Sequence, residues 1–313
     1  MTIRVFIDGA VGTTGLEIRD RLIDRSDITL VTLPDALRKD AAARADALNA
    51  ADAVVLCLPD DAARDAVAMV QNPTVRIVDA STAHRTADRW TYGFAELEPG
   101  RTTELASAKR ISNPGCYPTG FLALVRPLVR AGLLPADRTV AVAATSGYSG
   151  GGKDMIAAFE DPAAKGATNT GYRLYALGLG HKHVREMQQH GGLARAPIFL
   201  PAVARSYRGM LVEVPLALDD LAPGTTAAHV RDALAEAYDG SRLVSLATEL
   251  PAVLDIERTA RTDRLELFAY DDPAAGQIRL IAALDNLGKG AAGAAVQNLN
   301  LACGLPETEG LRL

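Results

Sequence analysis

The sequence has few cysteines and no long apolar runs. Three cysteines in 313 residues (Cys57, Cys116 and Cys303) are too few for a disulfide framework and favour a reducing, cytoplasmic location. No apolar stretch approaches the roughly 20 residues that a membrane-spanning helix needs. Arg4 and Asp8 stand where a signal peptide would have its apolar core. We therefore expect a cytoplasmic protein that does not contact the membrane.

The chain also lacks an excess of positive charge. Lys and Arg number 33 against 38 Asp and Glu, a formal net charge of −5, and the basic residues form no run. Nucleic acids and anionic membranes are therefore not expected as partners. Hydrophobic residues make up 48% of the chain, which is enough for sizeable cores, and the length predicts two domains.

The first 80 residues predict alternating strands and helices. Strands are predicted at 3–7, 28–33, 53–58 and 75–78, with helices ending near residue 24 and spanning 41–48 and 61–70. These strands are continuously apolar, as expected for a parallel sheet that is covered by helices on both faces. The pattern predicts a Rossmann-type α/β domain.

After about residue 115 the predicted strands become longer and partly alternating. They cover 139–145, 210–218, 265–270 and 277–284, and an alanine-rich helix follows at 290–303. This pattern predicts an α+β domain with a mixed or antiparallel sheet. We expect a first domain at 1–115, completed by the C-terminal segment 286–313, and a second domain at 116–285.

A glycine-rich turn separates the first predicted strand from its helix. Gly9, Gly12 and Gly15, with Thr13 and Thr14 between them, form the pattern G-x-x-G-x-x-G. Glycines let the main chain approach a pyrophosphate, and the helix N-terminus attracts its charge. The alternative is a plain turn that binds nothing, but the flanking strands favour a dinucleotide site.

The residues after the second predicted strand indicate which dinucleotide is bound. Arg38 and Lys39 could bind the 2′-phosphate of NADP, whereas Asp35 is typical of a site for the free ribose of NAD. The alternative for the two basic residues is an exposed helix face. We predict NADP as the cofactor.

Cys116 is the strongest candidate for a nucleophile. It lies in Ser112–Gly120 (SNPGCYPTG), before an apolar run, and Pro118 suits the first turn of a helix. A cysteine at a helix N-terminus is favoured as a thiolate. Cys57 and Cys303 lie in apolar runs and are interpreted as structural. A thiolate in a dinucleotide-binding protein indicates a thioester intermediate.

Such chemistry needs an acid or base, and five histidines are candidates. His181 and His183 form the only cluster, with Glu186 nearby. No carboxylate or cysteine stands at the spacing of a zinc motif, so no metal site is predicted. His190 is interpreted as a helix-end residue and His229 as part of a polar helix, and neither is given a chemical role.

Together these motifs resemble the N-acetyl-gamma-glutamyl-phosphate reductase family, in its shorter bacterial form. The resemblance rests on six motifs: Gly9–Gly15, Asp79–Arg85, Ser112–Thr119, Ser146–Gly152, His181–Glu186 and Asn286–Gly290. The glycine turn alone is unspecific, whereas N-P-G-C-Y-P-T together with H-x-H-x-x-E is specific. The family is similar to aspartate-semialdehyde dehydrogenase in fold and mechanism. The resemblance implies that the first predicted domain binds NADP and that the second is the catalytic and oligomerisation domain.

The resemblance implies a role for each matching residue. Cys116 would be the nucleophile and His181 the acid or base. Substrate binding or orientation would fall to His183, Glu186, Arg85 and Asn113. The cofactor-binding set would be Gly9, Gly12, Thr13, Thr14, Gly15, Arg38, Lys39, Ser149, Gly150 and Asn286.

Two positions depart from the family pattern. Arg185 stands where a proline often precedes the glutamate, and Ala202 stands where a histidine often follows the proline. We therefore expect no chemical role for the loop containing Phe199–Ala202.

The resemblance implies reduction of an acyl phosphate by NADPH in arginine biosynthesis. Cys116 would displace phosphate from N-acetylglutamyl phosphate, and reduction of the thioester would release the semialdehyde, with proton transfer by His181. The expected partners are this small substrate and further copies of the chain. Alternatives are an aspartate-semialdehyde dehydrogenase, a reductase of carrier-protein-linked acyl phosphates, and a non-catalytic NADP-binding regulator.

Overall fold

The computed structural model describes residues 2–313, and the chain divides into two compact units. One unit is formed by the described part of Met1–Gly115 together with Ala291–Leu311. The other is formed by Cys116–Gly290 together with Arg312–Leu313. Residues 286–290 and 312–313, which we expected in the first domain, lie in the second unit. Hydrogen bonds hold them there, since Asn286 Oδ1 accepts from the N–H of Gly209 at 2.9 Å.

Up to Gly115, the described chain alternates short strands with helices. These elements are β1 (Ile3–Asp8), α1 (Thr13–Leu22), β2 (Ile28–Val31), α2 (Ala41–Ala50), β3 (Ala53–Leu56), α3 (Asp60–Met69), β4 (Arg76–Asp79), β5 (Thr91–Tyr92), α4 (Arg101–Ser107) and β6 (Arg110–Ser112).

From Cys116 onward the strands are longer. The elements are α5 (Cys116–Arg130), β7 (Ala141–Gly147), α6 (Gly152–Glu160), β8 (Tyr172–Leu174), α7 (His183–Gly191), β9 (Ile198–Ala204), β10 (Met210–Ala217), α8 (Ala227–Ala237), β11 (Val244–Leu246), β12 (Leu265–Asp272), β13 (Gln277–Leu284) and α9 (Gly293–Ala302).

The first unit is built on a parallel sheet with the order β2-β1-β3-β4-β6-β5. All four residues of β3 are buried, as expected of a strand that is covered on both faces. Val55 and Val78 pack in one core cluster and Val54 and Ile77 in another. The Rossmann-type fold is therefore confirmed. Because the carboxyl ends of parallel strands share one edge, the ends of β1, β3, β4 and β6 lie together there.

The second unit is built on a seven-stranded mixed sheet, which confirms the predicted α+β architecture. Its order is β11-β12-β13-β10-β7-β9-β8. The β10–β13 pair is antiparallel and the β7–β9 pair is parallel. Helix α5 packs on β10 and β13, and Gly120 permits the close approach. A Cβ atom added to Gly120 would lie 2.7 Å from Cγ2 of Val212.

The C-terminal helix begins three residues later than the sequence predicts. The preceding residues, Gly288–Ala292, form a π-helical turn instead of a regular helical turn. A Cβ atom on Gly288 would lie 2.1 Å from the carbonyl oxygen of Thr262. Close contact of this turn with the surrounding main chain, which only glycine allows, accounts for its irregular geometry.

Candidate active site

Cys116 is the first residue of α5, as the sequence predicted. The first turn of this helix carries no acidic side chain. Pro118 lies in the same turn, where its missing N–H would have had no helical partner. Exposed N–H groups and the helix dipole favour a thiolate at this position. The residue is partly exposed, and its position therefore suits a nucleophile.

Gly290 packs directly against this cysteine. A Cβ atom added to Gly290 would lie 2.9 Å from the Cβ of Cys116 and 3.0 Å from the carbonyl oxygen of Asp285. The N–H of Gly290 donates to that same oxygen at 3.0 Å. π-Helical turns, such as the one containing Gly290, occur frequently at functional sites. The main chain thus confines Cys116 from one side.

Two tyrosine hydroxyls form a hydrogen-bonded chain within electrostatic reach of the cysteine. Tyr175 donates to the hydroxyl of Tyr117 at 3.1 Å, and Tyr117 donates to the carbonyl oxygen of Ala202 at 3.1 Å. Burial raises the pKa of Tyr117, and the charges of Tyr175 and Cys116 add to the shift. The pKa of Tyr175 is raised to about 12, mainly by burial and also by Cys116. Both phenols are therefore neutral at physiological pH.

The ring of His181 lies against the same two tyrosines. Its centroid is 6.3 Å from that of Tyr117 and 5.8 Å from that of Tyr175, with edge-on geometry. The main-chain N–H of His183 donates to its Nδ1 at 3.2 Å, so the neutral ring carries its proton on Nε2. Burial lowers the pKa of His181, Lys182 lowers it further, and Glu186 opposes both. The ring therefore presents an N–H donor at Nε2.

His183 and Glu186 lie on one face of α7, because residues three apart in a helix are neighbours. Both side chains are buried. The ring centroid of His183 lies 4.7 Å from that of His181 and 5.8 Å from that of Tyr117. The structure thus groups His181 and His183 around Tyr117, the residue that follows Cys116, and Glu186 acts on His181 through its charge. Their roles in catalysis stay predictions.

The segment that was expected to be a loop is part of strand β9, so the loop prediction was wrong, whereas its lack of a chemical role stays a prediction. The ring of Phe199 lies 5.1 Å from that of Tyr117 and 5.0 Å from that of His181. The carbonyl oxygen of Ala202 anchors the Tyr117 hydroxyl. The expectation considered only the side chain of Ala202, whereas its main chain is the group that contributes to the site.

Ser149, Gly150 and Asn286 form a second group in this unit. The amide of Asn286 donates to the hydroxyl of Ser149 at 2.9 Å. A Cβ atom on Gly150 would lie 3.1 Å from Oγ of Ser146 and 3.3 Å from Nδ2 of Asn286. The structure therefore brings Asn286 to Ser149 and Gly150, although Ser149 and Asn286 are 137 positions apart in the chain. Their contact with a cofactor stays a prediction.

In the first unit, the glycine-rich turn joins β1 to α1. A Cβ atom on Gly9 would lie 2.3 Å from a main-chain oxygen, and one on Gly15 would lie 2.4 Å from another. Gly12 is the N-cap of α1, no side chain caps it, and the first turn with Thr13 and Thr14 holds no acidic residue. An open helix N-terminus of this kind binds phosphate groups. The turn therefore fits a dinucleotide pyrophosphate.

Arg38 and Lys39 follow a 3₁₀ turn at Asp35–Leu37, after β2. Arg38 forms an exposed ion pair with Asp35 at 3.3 Å, and Lys39 is exposed. Asp35, the residue that favours NAD, is therefore paired with a cation of the same segment. Neither basic residue lies on a regular helix face.

Arg85 and Asn113 are buried and bonded to the main chain of the first unit. Arg85 donates to the carbonyl oxygens of Asn113 at 2.9 Å and Ala80 at 3.1 Å. The amide of Asn113 donates to the carbonyl oxygen of Ala291 at 3.0 Å and accepts from Asn298 at 3.0 Å. These bonds order the carboxyl ends of β4 and β6. A role of either residue in substrate binding stays a prediction.

The sequence analysis missed Tyr175, and it named Gly290 only as part of a motif. Tyr175 follows a three-residue strand whose sequence contains no catalytic motif. Gly290 stands in Asn286–Gly290, but its packing against Cys116 joins residues 174 positions apart. The sequence shows only that a glycine follows a lysine in this motif, which does not indicate a contact with Cys116. No local pattern indicates either relationship.

Three further observations concern the described residues as a whole. Residues 2–313 contain no group of three or more His, Cys, Asp or Glu side chains that could hold a metal ion. Over the same range, no helix has both the length and the apolar character needed to cross a bilayer. All three cysteines are free.

Comparison with known proteins identifies the family. A family model described as semialdehyde dehydrogenase, dimerisation domain, matches residues 116–286, and one described as semialdehyde dehydrogenase, NAD binding domain, matches residues 34–105. An N-acetyl-gamma-glutamyl-phosphate reductase of Sinorhizobium fredii is 51% identical over 95% of this chain and 98% of its own length. One of Trichormus variabilis is 48% identical over 98% of this chain and 99% of its own.

The chain belongs to the N-acetyl-gamma-glutamyl-phosphate reductase family. Solved structures of the wider semialdehyde dehydrogenase group share its fold. Aspartate semialdehyde dehydrogenase II of Vibrio cholerae, complexed with ASA, superposes with a TM-score of 0.73 at 16% identity, covering 97% of this chain and 99% of that chain. The Candida albicans enzyme with NADP gives 0.66 at 14% identity, covering 96% and 98%. The resemblance inferred from the motifs is therefore confirmed at the level of the family.

Proposed function

We propose that this chain reduces N-acetyl-L-glutamyl 5-phosphate to N-acetyl-L-glutamate 5-semialdehyde and phosphate, with NADPH, as a step of arginine biosynthesis. Family membership makes the chain an oxidoreductase and supports this reaction. The observation that carries the mechanism is the position of Tyr117 and Tyr175. The rings of both tyrosines contact that of His181. The charge of Cys116 contributes to the raised pKa of both hydroxyls.

Cys116 performs the first step. Its thiolate attacks the acyl carbon, a carbon–sulfur bond forms, and the bond from that carbon to the phosphate oxygen breaks. Phosphate leaves with the electron pair, and a thioester remains on Cys116. The N-terminus of α5 stabilises the thiolate before attack. The neutral tyrosines add no negative charge near it.

His181 acts on the carbonyl oxygen in the second step. NADPH, held by the glycine turn of the first unit, would supply the hydride that reduces the thioester carbonyl. While the carbonyl oxygen bears negative charge, Nε2 of His181 donates a hydrogen bond to it. Nε2 is the donor because the main-chain N–H of His183 occupies Nδ1 of His181. The oxygen then reforms the carbonyl, the carbon–sulfur bond breaks, and Cys116 is regenerated as thiolate. The one proton consumed overall ends on the released phosphate.

The first unit supports a dinucleotide, and Arg38 and Lys39 support NADP rather than NAD. The first unit carries the matched NAD binding domain and the open N-terminus of α1. Arg38 and Lys39 lie after β2, where the adenosine ribose of a dinucleotide is recognised. Of the two acidic residues in this segment, Asp35 pairs with Arg38 and Asp40 caps α2. We propose that Arg38 releases Asp35 and pairs with the 2′-phosphate when NADP binds.

The chain is further proposed to act as a homo-oligomer in the cytoplasm, on a small-molecule acyl phosphate. The matched dimerisation domain at residues 116–286 supports self-association. The three free thiols fit a reducing compartment. Size-exclusion chromatography with light scattering tests the first point, since a monomer at micromolar concentration would contradict it.

The reaction is tested in reverse. We expect NADP⁺ reduction with N-acetylglutamate semialdehyde that depends on phosphate, and none with aspartate semialdehyde. The Cys116→Ser variant should lose this activity while its affinity for NADPH stays within a factor of about two. Activity only with aspartate semialdehyde would contradict the substrate. Binding of NADPH without either activity would favour a carrier-linked substrate or a regulator.

The role of Nε2 is tested with two His181 variants. Removal of a donor to an oxyanion costs about 100-fold to 1,000-fold in kcat, and we expect this loss in His181→Ala. His181→Gln retains an N–H donor and should recover part of it. If the two variants are equally inactive, His181 transfers a proton and does not act only as a hydrogen-bond donor.

A further inference from the structure

Asp79 and His84 form a hydrogen-bonded pair at the carboxyl end of β4, and the proposed mechanism does not use it. Asp79 is the last residue of β4 and is fully buried. Its carboxylate accepts from the N–H of Ser81 at 2.9 Å, from the hydroxyl of Ser81 at 2.8 Å and from Nδ1 of His84 at 2.6 Å. Three donors hold the carboxylate in one orientation.

The ring of His84 is fixed on two sides. Trp90 stacks on one face, with ring centroids 4.0 Å apart and planes inclined by 13°. Donation from Nδ1 to Asp79 leaves the lone pair of the neutral ring on Nε2. Among residues 2–313, no group hydrogen-bonds to Nε2. The pair therefore presents an oriented hydrogen-bond acceptor whose partner does not come from the described chain.

The position of this acceptor follows from the strand order β2-β1-β3-β4. The pyrophosphate of a dinucleotide lies at the glycine turn after β1, and the adenosine ribose lies toward the end of β2. A dinucleotide bound in this way would extend its nicotinamide half the other way, over the ends of β3 and β4. The end of β4 is two strand spacings from β1, about 10 Å. The nicotinamide ribose would therefore come within reach of the end of β4.

The charges at this sheet edge favour a neutral ligand group. Asp79 and Asp8 both act on Cys57, whose pKa is raised to about 12 by burial and then by these two carboxylates. The guanidinium of Arg85 donates to two main-chain oxygens here. Arg44 pairs with Asp8 at 2.8 Å, so Asp79 supplies the negative charge that a second phosphate would meet, whereas a hydroxyl group would meet a well-placed acceptor.

We propose that Nε2 of His84, held by Asp79 and Trp90, accepts a hydrogen bond from a ribose hydroxyl in the nicotinamide half of the dinucleotide. The inference rests on the proposed function, since it requires a nicotinamide dinucleotide as the ligand. His84 is thereby a cofactor-binding residue of the first unit, in addition to the glycine turn.

The test compares two ligands of different extent. NADPH contains both halves of the dinucleotide, whereas 2′,5′-ADP contains only the adenosine half with its 2′-phosphate. His84→Phe keeps a ring to stack on Trp90 and removes Nε2. We expect its dissociation constant for NADPH to rise about tenfold, the effect of one lost hydrogen bond, while that for 2′,5′-ADP stays unchanged. His229→Phe, at the start of α8 in the other unit, is the matched control.

Each outcome decides between stated alternatives. Unchanged NADPH affinity in His84→Phe would overturn the inference, and equal weakening of both ligands would assign His84 to the adenosine side or to folding. His84→Gln, which retains an acceptor oxygen, should recover part of the NADPH affinity. If the unaltered protein binds NADPH but shows no activity with either semialdehyde, the proposed function fails while this inference stands. No binding of NADPH to the unaltered protein would overturn both.

Discussion

A Cβ atom on Gly290 would lie 2.9 Å from the Cβ of Cys116, closer than real Cβ atoms approach one another. Any larger residue at position 290 must therefore displace the cysteine or the turn. The turn itself is held, since Gly290 donates to Asp285. The relationship makes Gly290 a positioning residue for the nucleophile.

Gly290→Ala should reduce kcat about 100-fold, because a displacement of about 1 Å at a reacting group has an effect of that size. Steady-state kinetics measure it, and alkylation of Cys116 by iodoacetamide should slow in parallel. Gly171→Ala is the matched control, since a Cβ atom there meets nothing within 4 Å. Unchanged turnover in Gly290→Ala would show that the turn moves aside and does not position Cys116.

The three thiols should differ sharply in reactivity. Burial raises the pKa of Cys57 to about 12 and that of Cys303 to about 11, so both are protonated at pH 7.5. Cys116 starts a helix and should react first. We expect iodoacetamide at pH 7.5 to modify Cys116 selectively, with loss of activity, as peptide mass spectrometry would show. Modification of Cys57 or Cys303 at a similar rate would contradict this assignment.

The titration of His181 should depend on its neighbour Lys182. Burial and the charge of Lys182 both lower the pKa of His181, so its midpoint in the folded protein should lie below the ordinary value of about 6.5. Lys182→Met removes one of these effects, and the midpoint should move upward. Imidazole proton NMR measures the shift, and Lys165→Met, at an exposed position, is the control.

The same change should appear in the kinetics. If neutral His181 is the active form, activity is lost as pH falls through its pKa. The acidic limb of the profile should therefore lie at higher pH in Lys182→Met than in the unaltered protein. If the NMR midpoint moves but the acidic limb of the pH profile does not, His181 does not take part in the rate-determining step.

The sequence predicted the architecture because its signals are local. Continuous apolar strands such as β3, and a glycine turn between β1 and α1, follow from residues that are adjacent in the chain. The start of α5 at Cys116 was equally accessible, since Pro118 marks a first turn. These features need no knowledge of distant contacts.

The features that could not be predicted from the sequence are long-range contacts or involve the main chain. The bond from Tyr117 to the carbonyl of Ala202 joins residues 85 positions apart, and no side-chain pattern encodes a carbonyl acceptor. The Asp79–His84 pair is close in sequence, yet its meaning depends on the sheet edge where it lies. Tertiary packing supplies this information.

The last prediction concerns the two tyrosines and stability. Tyr117 takes part in both hydrogen bonds of the chain, whereas Tyr175 takes part in one. A hydrogen bond contributes about 1 kcal/mol, and a buried group left without its partner costs more. Tyr117→Phe should therefore lower the free energy of unfolding by about 2 kcal/mol and Tyr175→Phe by about 1 kcal/mol. Urea denaturation measures both values. An equal or larger loss in Tyr175→Phe would mean that the Tyr117 hydroxyl gains little from its bond to Ala202, and that the chain of hydroxyls is held from the Tyr175 end.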